Sequence, residues 1–182
     1  MALEKKIKYE IKLPEGTEAF LDNHTLKIKG TKSELFRKFA HPKININVKE
    51  RNILVECNKP TKREKTYVGT FVAHIKNMIL GASKEFKYKL KICSGHFPIT
   101  VNIDSDKVII KNFLGEKVPR KARLLPGVKA KVTGDEIIIE GSNKEDVGQS
   151  AANIEIATRI TNRDRRVFQD GIFITSKGEE NE

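Results

Sequence analysis

The chain has 182 residues, 38% hydrophobic and 32% charged, and its 35 Lys+Arg against 24 Asp+Glu leave a formal net charge of +11. That length suits one medium domain or two small ones, and that charge makes an anionic partner, nucleic acid foremost, the first expectation. No stretch nears the roughly 20 apolar residues of a membrane span. The start Met1-Ala2-Leu3-Glu4-Lys5-Lys6 has no apolar signal core, and Cys57 and Cys93 are too far apart for a zinc knuckle and too few for a disulfide framework.

In chain order, Ile7, Tyr9, Ile11 and Leu13 alternate with charged residues as a half-buried strand, ended by Pro14-Glu15-Gly16. Leu26 and Ile28 alternate with Lys27 and Lys29 in a second strand. Residues 44–48 and 53–55 form a hairpin turning at Glu50-Arg51-Asn52. Lys59, Lys62, Arg63 and Lys65 come next, read as a basic loop. Then Val68, Phe71, Val72, Ile75 and Ile79 recur at the spacing of one helical face, with Gly81 as the expected C-cap. Phe86, Tyr88, Leu90 and Ile92 alternate with Lys87, Lys89 and Lys91 in another one-sided strand.

The second half repeats this order. Val108-Ile109-Ile110-Lys111 matches Leu26-Lys27-Ile28-Lys29, Val128, Ala130 and Val132 match Ile44, Ile46 and Val48, and Ile137-Ile138-Ile139-Glu140 matches Ile53-Leu54-Val55-Glu56. The offset is about 82–84 residues, which is repetition at domain scale. A helix follows over about residues 144–161, then a short strand Ile172-Phe173-Ile174, with a polar tail expected to fray from Ser176. The fold class is therefore α+β: two tandem duplicated domains, residues 1–83 and 84–182, each a small antiparallel sheet with one helix packed on one face.

Catalytic signatures are missing. There is no phosphate loop of the G-x-x-x-x-G-K-[ST] or G-x-G-x-x-G type and no G-x-S-x-G elbow. His24, His41, His74 and His96 have no ligand-like spacing, and Asp104 and Asp106 fit turn chemistry. The expectation is a protein with no catalytic residues, no metal and no cofactor.

The cationic clusters carry more information. Lys117, Arg120, Lys121 and Arg123 crowd a stretch read as a loop, and Arg159, Arg163, Arg165 and Arg166 crowd the end of the second helix. A helix dipole is satisfied by one or two cations, so the run Arg163-Asp164-Arg165-Arg166 asks for another reason. Arginine binds phosphate bidentately and stacks on bases, which suits a folded RNA. The cations at Lys59, Lys62, Arg63 and Lys65 oppose the dipole of the helix they precede, so an anion contact there is a second expectation.

Several long stretches carry a resemblance. They are Asn112-Phe113-Leu114-Gly115-Glu116-Lys117, Leu125-Pro126-Gly127-Val128, Gly95-His96-Phe97-Pro98, the run from Ile139 through Gly141-Ser142-Asn143 to Ala152, and Arg163-Asp164-Arg165-Arg166-Val167-Phe168-Gln169-Asp170-Gly171-Ile172-Phe173-Ile174. In these the chain resembles the universal large-subunit ribosomal protein L-six, in its archaeal and eukaryotic form, over nearly its whole length. Phe173 stands where most relatives are expected to carry tyrosine.

The resemblance implies a structural protein of the large ribosomal subunit in the cytoplasm, a monomer within the ribosome. Its partners would be large-subunit rRNA near the sarcin–ricin loop and stalk base, and neighbouring ribosomal proteins, with translation factors nearby and no membrane. It implies that the second domain carries most rRNA contacts, around Arg163, Arg165, Arg166 and Lys177, with Lys117, Arg120, Lys121 and Arg123 beside them and His96 at the junction. Lys59, Lys62, Arg63 and Lys65 are candidates for a secondary contact, with neighbouring protein or with RNA. Two rival classes remain at this stage: a protein-interaction adaptor, which has no need for so many arginines on one short loop, and an enzyme with an unfamiliar site.

Overall fold

A computed structural model of the chain describes residues 6–49, 51–164 and 166–178. The chain divides between Glu85 and Phe86 into two compact units.

The N-terminal unit contains β1 (Lys6–Lys12), β2 (Glu18–Asp22), β3 (Thr25–Lys29), β4 (Glu34–Lys38), β5 (Ile44–Lys49), β6 (Asn52–Asn58) and helix α1 (Lys62–Ser83). The strands form two antiparallel sheets rather than the single one expected per domain, ordered β1-β6-β5 and β2-β3-β4. Period-two alternation drives the first: Ile53, Val55 and Cys57 of the central β6 face inward and are essentially solvent-free. In the second, Leu26 and Ile28 of β3 point into the same core as Val68, Ile75 and Ile79 of α1. The opposite face of that sheet carries Phe20 and Phe36, 56% and 77% exposed, directly across from Lys27.

Two boundaries depart from expectation. Helix α1 begins at Lys62, so Lys62, Arg63 and Lys65 lie in its first turn and not in a loop before it. Thr61 precedes the helix, and the Glu64 carboxylate accepts its amide (2.9 Å) and its hydroxyl, the returning half of a capping box. At the other end Gly81 is buried inside the helix and Lys84 is the cap. The helix runs on because its last carbonyls are taken: Leu80 by the Lys84 amide, Gly81 by the Ser33 hydroxyl and Ala82 by the Lys32 amide. Gly30 makes that approach feasible, since a Cβ there would sit 2.3 Å from the Ala82 carbonyl oxygen.

The C-terminal unit contains β7 (Phe86–Cys93), β8 (Thr100–Asp104), β9 (Lys107–Lys111), a 3-10 turn (Phe113–Gly115), β10 (Arg120–Arg123), β11 (Lys129–Thr133), β12 (Glu136–Gly141), helix α2 (Lys144–Ala157) and β13 (Gly171–Lys177). Its sheets are ordered β8-β9-β10 and β11-β12-β7-β13, all antiparallel. Val108 and Ile110 of β9, Ile137 and Ile139 of β12, Leu90 of β7 and Ile172 of β13 meet Val147, Ala151 and Ile154 of α2 in one core. The repeat read from sequence is thus a repeat of architecture. The central strands β3 and β9 correspond, as do the hairpins β5-β6 and β11-β12 and the helices α1 and α2. Asn143 caps α2 by accepting the Glu145 amide (3.1 Å). The helix ends at Ala157 and does not reach Thr161, and Ser176 and Lys177 belong to β13 and not to a tail.

Among the described residues no helix is long and apolar enough to cross a membrane. Cys57 is buried, Cys93 is half-buried, and both are free thiols.

Candidate nucleic-acid interface

The segment between α2 and β13 is organised by one buried acid. Asp170 is 2% exposed. Its Oδ1 accepts the amides of Gly95 (2.6 Å) and His96 (2.9 Å), and its Oδ2 faces His96 Nδ1 at 2.6 Å. Burial pushes the Asp170 carboxyl up, but the His96 amide and ring and the Gly95 amide outweigh it and hold it below the ordinary aspartate range. The chain just after β7 is thereby fastened to the chain just before β13. The His96 ring stacks on Phe168 with centroids 4.8 Å apart, and the Arg163 guanidinium lies 4.8 Å from the same ring. One phenyl ring thus brings an imidazole from the segment after β7 and a guanidinium from the segment before β13 to the same place.

A second loop is tied into the same region. Asn112 and Leu114 adopt left-handed backbone (φ 59° and 51°), which turns the chain sharply after β9 and buries Phe113. The Asn112 side-chain amide donates to the Pro98 carbonyl (3.0 Å), two residues beyond His96. Arg120 then does several things at once. It grips Glu116 bidentately (2.8 and 2.5 Å), donates to the Ala157 carbonyl at the end of α2 (2.8 Å), and covers the Phe113 ring at 4.3 Å. Glu116 is held below the ordinary carboxylate range by Arg120 first, with Arg163 adding to the effect, so the loop around Glu116 and the Arg163 loop lie within electrostatic reach.

The expected contact residues therefore separate into groups. Arg163 and His96 converge on Phe168. Arg120, expected on a loop, lies in strand β10 facing inward with Ala122 and is committed to Glu116 and α2. Lys121 and Arg123 alternate to the outer face of that strand and are exposed, as is Lys117 just before it. Arg166 is highly exposed and pairs with Asp164 (2.8 Å), which lowers the Asp164 pKa. Arg165 lies outside the described residues. Lys177 is exposed on β13, where it pairs with Tyr88 of β7. Lys59, Lys62, Arg63 and Lys65 are exposed in the N-terminal unit, with the Arg63 guanidinium 5.8 Å from the Tyr67 ring.

Sequence reasoning missed Asp170 and Glu116. Each looks like one more surface acid until its partner, tens of residues away or on a turn of unforeseen shape, is placed beside it. It also missed a cleft of about 930 Å³ at this end of the unit, walled by Ile156, Val167, Phe168 and Phe173, with Cys93 and Arg159 among its other lining residues. No group of His, Cys, Asp and Glu among the described residues is arranged to hold a metal ion.

The sequence model of the family described as Ribosomal protein L6 matches residues 13–85 and 97–171, one stretch in each unit. The chain is 46% identical over 177 residues to the large ribosomal subunit protein uL6 of Methanobrevibacter smithii, covering 97% of this chain and 99% of that one. It is 49% identical over 172 residues to the protein of the same name from Ignicoccus hospitalis, covering 92% of each, and 45% identical over 173 residues to that of Methanosarcina mazei, covering 95% of this chain and 98% of that one.

Proposed function

Because the chain belongs to the ribosomal protein L6 family, in its archaeal type, we propose that its C-terminal unit seats it on large-subunit rRNA near the sarcin–ricin loop and stalk base, supporting the region where translation factors dock. It is a structural protein of the large ribosomal subunit, and rRNA binding is general to its family. The finer reading is carried by one observation: the Asp170 anchor and the Phe168 ring bring Arg163, on the loop between α2 and β13, together with His96, just after β7. Arg166 lies on that same loop, Arg165 precedes it in sequence, and Lys117, Lys121, Arg123 and Lys177 add further exposed cations in the same unit. Such an array neutralises closely spaced phosphates, while Arg120 and Asp170 act on RNA only by holding the loops in shape.

The test is binding of a large-subunit rRNA fragment containing the sarcin–ricin region across a salt series, for the unaltered protein and for the triple variant Arg163→Ala, Arg165→Ala, Arg166→Ala. The expected result is a fall in affinity of about a hundredfold. It should come with a salt slope shallower by about 0.7–0.9 log units for each phosphate contact removed. Unchanged affinity in a variant with an unchanged circular dichroism spectrum would move the binding surface elsewhere.

A second reading concerns the N-terminal unit. Its exposed Phe20 and Phe36 sit in a face whose lysines are matched by carboxylates, with Lys27 bridged to Glu34 at 2.6 Å. An aromatic centre with a balanced polar rim suits a neighbouring protein better than a polyanion. The basic first turn of α1, with Lys59 before it, is the secondary site for an anion.

A further inference from the structure

The cleft beside Phe168 has a shape that phosphate binding alone does not explain. Its volume of about 930 Å³ is that of a small-ligand site. Its walls leave large apolar groups open to water: Ile156 is 62% exposed, Val167 61% and Phe173 38%. A protein that only needed to neutralise phosphates would gain nothing from keeping these three side chains uncovered around a hollow. Polar atoms sit among them, from Ser94, Gln169 and the His96 ring.

The cleft brings charges of both signs together. Arg159 lines it, and the Arg163 guanidinium lies 4.8 Å from the Phe168 ring that walls it. Two carboxylates line it as well: Asp170, turned onto the Gly95 and His96 amides, and Glu155, whose Oε1 accepts the Ile174 amide (3.2 Å). An occupant that meets both these walls and the two arginines has an apolar flat body, a polar edge and an anionic group beside it. An RNA nucleotide whose base has left the stack has all three, and single-stranded loops are read in just this manner, by stacking on aromatic and guanidinium planes with hydrogen bonds at the base edge.

We propose that the cleft lined by Ile156, Val167, Phe168 and Phe173 receives one unstacked rRNA base, with Arg159 and Arg163 holding its flanking phosphates. This rests on the reading of the C-terminal unit as the rRNA-binding unit. It adds that the unit reads an extruded nucleotide as well as backbone shape.

Cys93 lines the cleft and is partly accessible, while Cys57 is buried in the other unit. Cys93 is thus a reporter inside the proposed site, with Cys57 as a silent control. The experiment follows maleimide labelling of the full chain alone, with a large-subunit rRNA fragment containing the sarcin–ricin region, and with inorganic polyphosphate. In parallel, base-edge chemical modification of the rRNA is mapped with the unaltered protein and with Ile156→Trp. That variant fills the cleft at an exposed position and leaves every arginine in place. The expected result is at least tenfold slower labelling of Cys93 with rRNA but not with polyphosphate. One unpaired base should be protected by the unaltered protein and reactive again with Ile156→Trp, whose affinity falls about tenfold at an unchanged salt slope.

Bound rRNA with Cys93 labelled at its original rate would overturn the base site and leave the rRNA reading standing. Equal protection by polyphosphate would reduce the cleft to a phosphate contact. Protection of Cys93 in intact subunits but not by rRNA would give the cleft to a neighbouring protein. Failure of the rRNA reading itself would show separately, as no binding of the fragment at any salt concentration.

Discussion

Across the middle of the sheet β2-β3-β4 the outward row is Phe20, Lys27 and Phe36; at the same place in β8-β9-β10 it is Asn102, Ile109 and Lys121. The inward residues of the two central strands, Leu26 and Ile28 against Val108 and Ile110, are interchangeable in kind and equally buried. Outward, the N-terminal sheet sets Lys27, Lys29 and Lys38 against Glu18, Asp22 and Glu34, a balanced face. The C-terminal sheet sets Lys107, Lys111, Lys121 and Arg123 against Asp104 alone. Duplication conserved what packing demands, one apolar side per strand, and left the other side to diverge in charge. The two units thus differ most on the faces that stability does not use.

The comparison can be broken most severely at Asp170. Asp170→Ala leaves the Gly95 and His96 amides without their acceptor in a buried setting. It should destabilise the C-terminal unit by about 2–4 kcal/mol, seen as a lower denaturant midpoint for that unit's NMR signals while the N-terminal signals hold. Next comes the basic face. Lys121→Ala with Arg123→Ala should weaken rRNA binding about tenfold and flatten the salt slope by about 1.4–1.8 log units if both meet phosphates, with folding stability within about 0.5 kcal/mol of the parent. The paired change Phe20→Thr with Phe36→Thr should leave rRNA affinity untouched. A drop there would erase the division of labour between the two faces.

Arg120 sharpens the contrast from another side, since it is a cation of the C-terminal unit spent on structure. Arg120→Lys loses the bidentate grip on Glu116 and the α2 carbonyl contact, and should lower that unit's stability by about 1–2 kcal/mol, with rRNA affinity reduced less than by the Lys121 and Arg123 pair.

The smallest effect is in acid. Glu64 is held at about 2 by the Thr61 hydroxyl first and then Lys43, and Asp170 is also depressed. Both are lowered, so both stabilise the fold fully above the ordinary carboxylate range and lose that contribution as pH falls through it towards the folded value. Glu64→Gln should reduce the dependence below about pH 4.5 in the N-terminal unit's signals, where Glu56 is also lowered by Lys6, and leave it unchanged in the C-terminal unit's.

The strands legible in the sequence were those with a clean apolar side: β1, β3, β5, β6, β7, β9, β11, β12 and part of β13. The hidden ones were edges. In β2 and β4 the largest apolar side chains, Phe20 and Phe36, point outward, which disguises the alternation, and β10 has Ala122 as its single apolar residue. Strand β8 is short and places only Val101 and Ile103 inward. The helix ends were misjudged because their caps come from far along the chain, Ser33 and Lys32 for α1 and Arg120 for α2. Of the interface, charge identified the arginines as a group. It could not tell Arg120, locked to Glu116, from Arg163 on its phenyl ring, because that difference lies in partners and not in composition.

Strand β13 lies at the rim of its sheet, and two of its outward amides are already taken: Ile172 donates to the Thr158 hydroxyl (3.0 Å) and Ile174 to the Glu155 carboxylate (3.2 Å). An uncovered rim is a template on which a second chain can add a strand. Here the end of α2 folds its own side chains over that rim and takes two of the donors that an added strand would use. The same two residues that finish the helix thereby blunt one edge of the sheet.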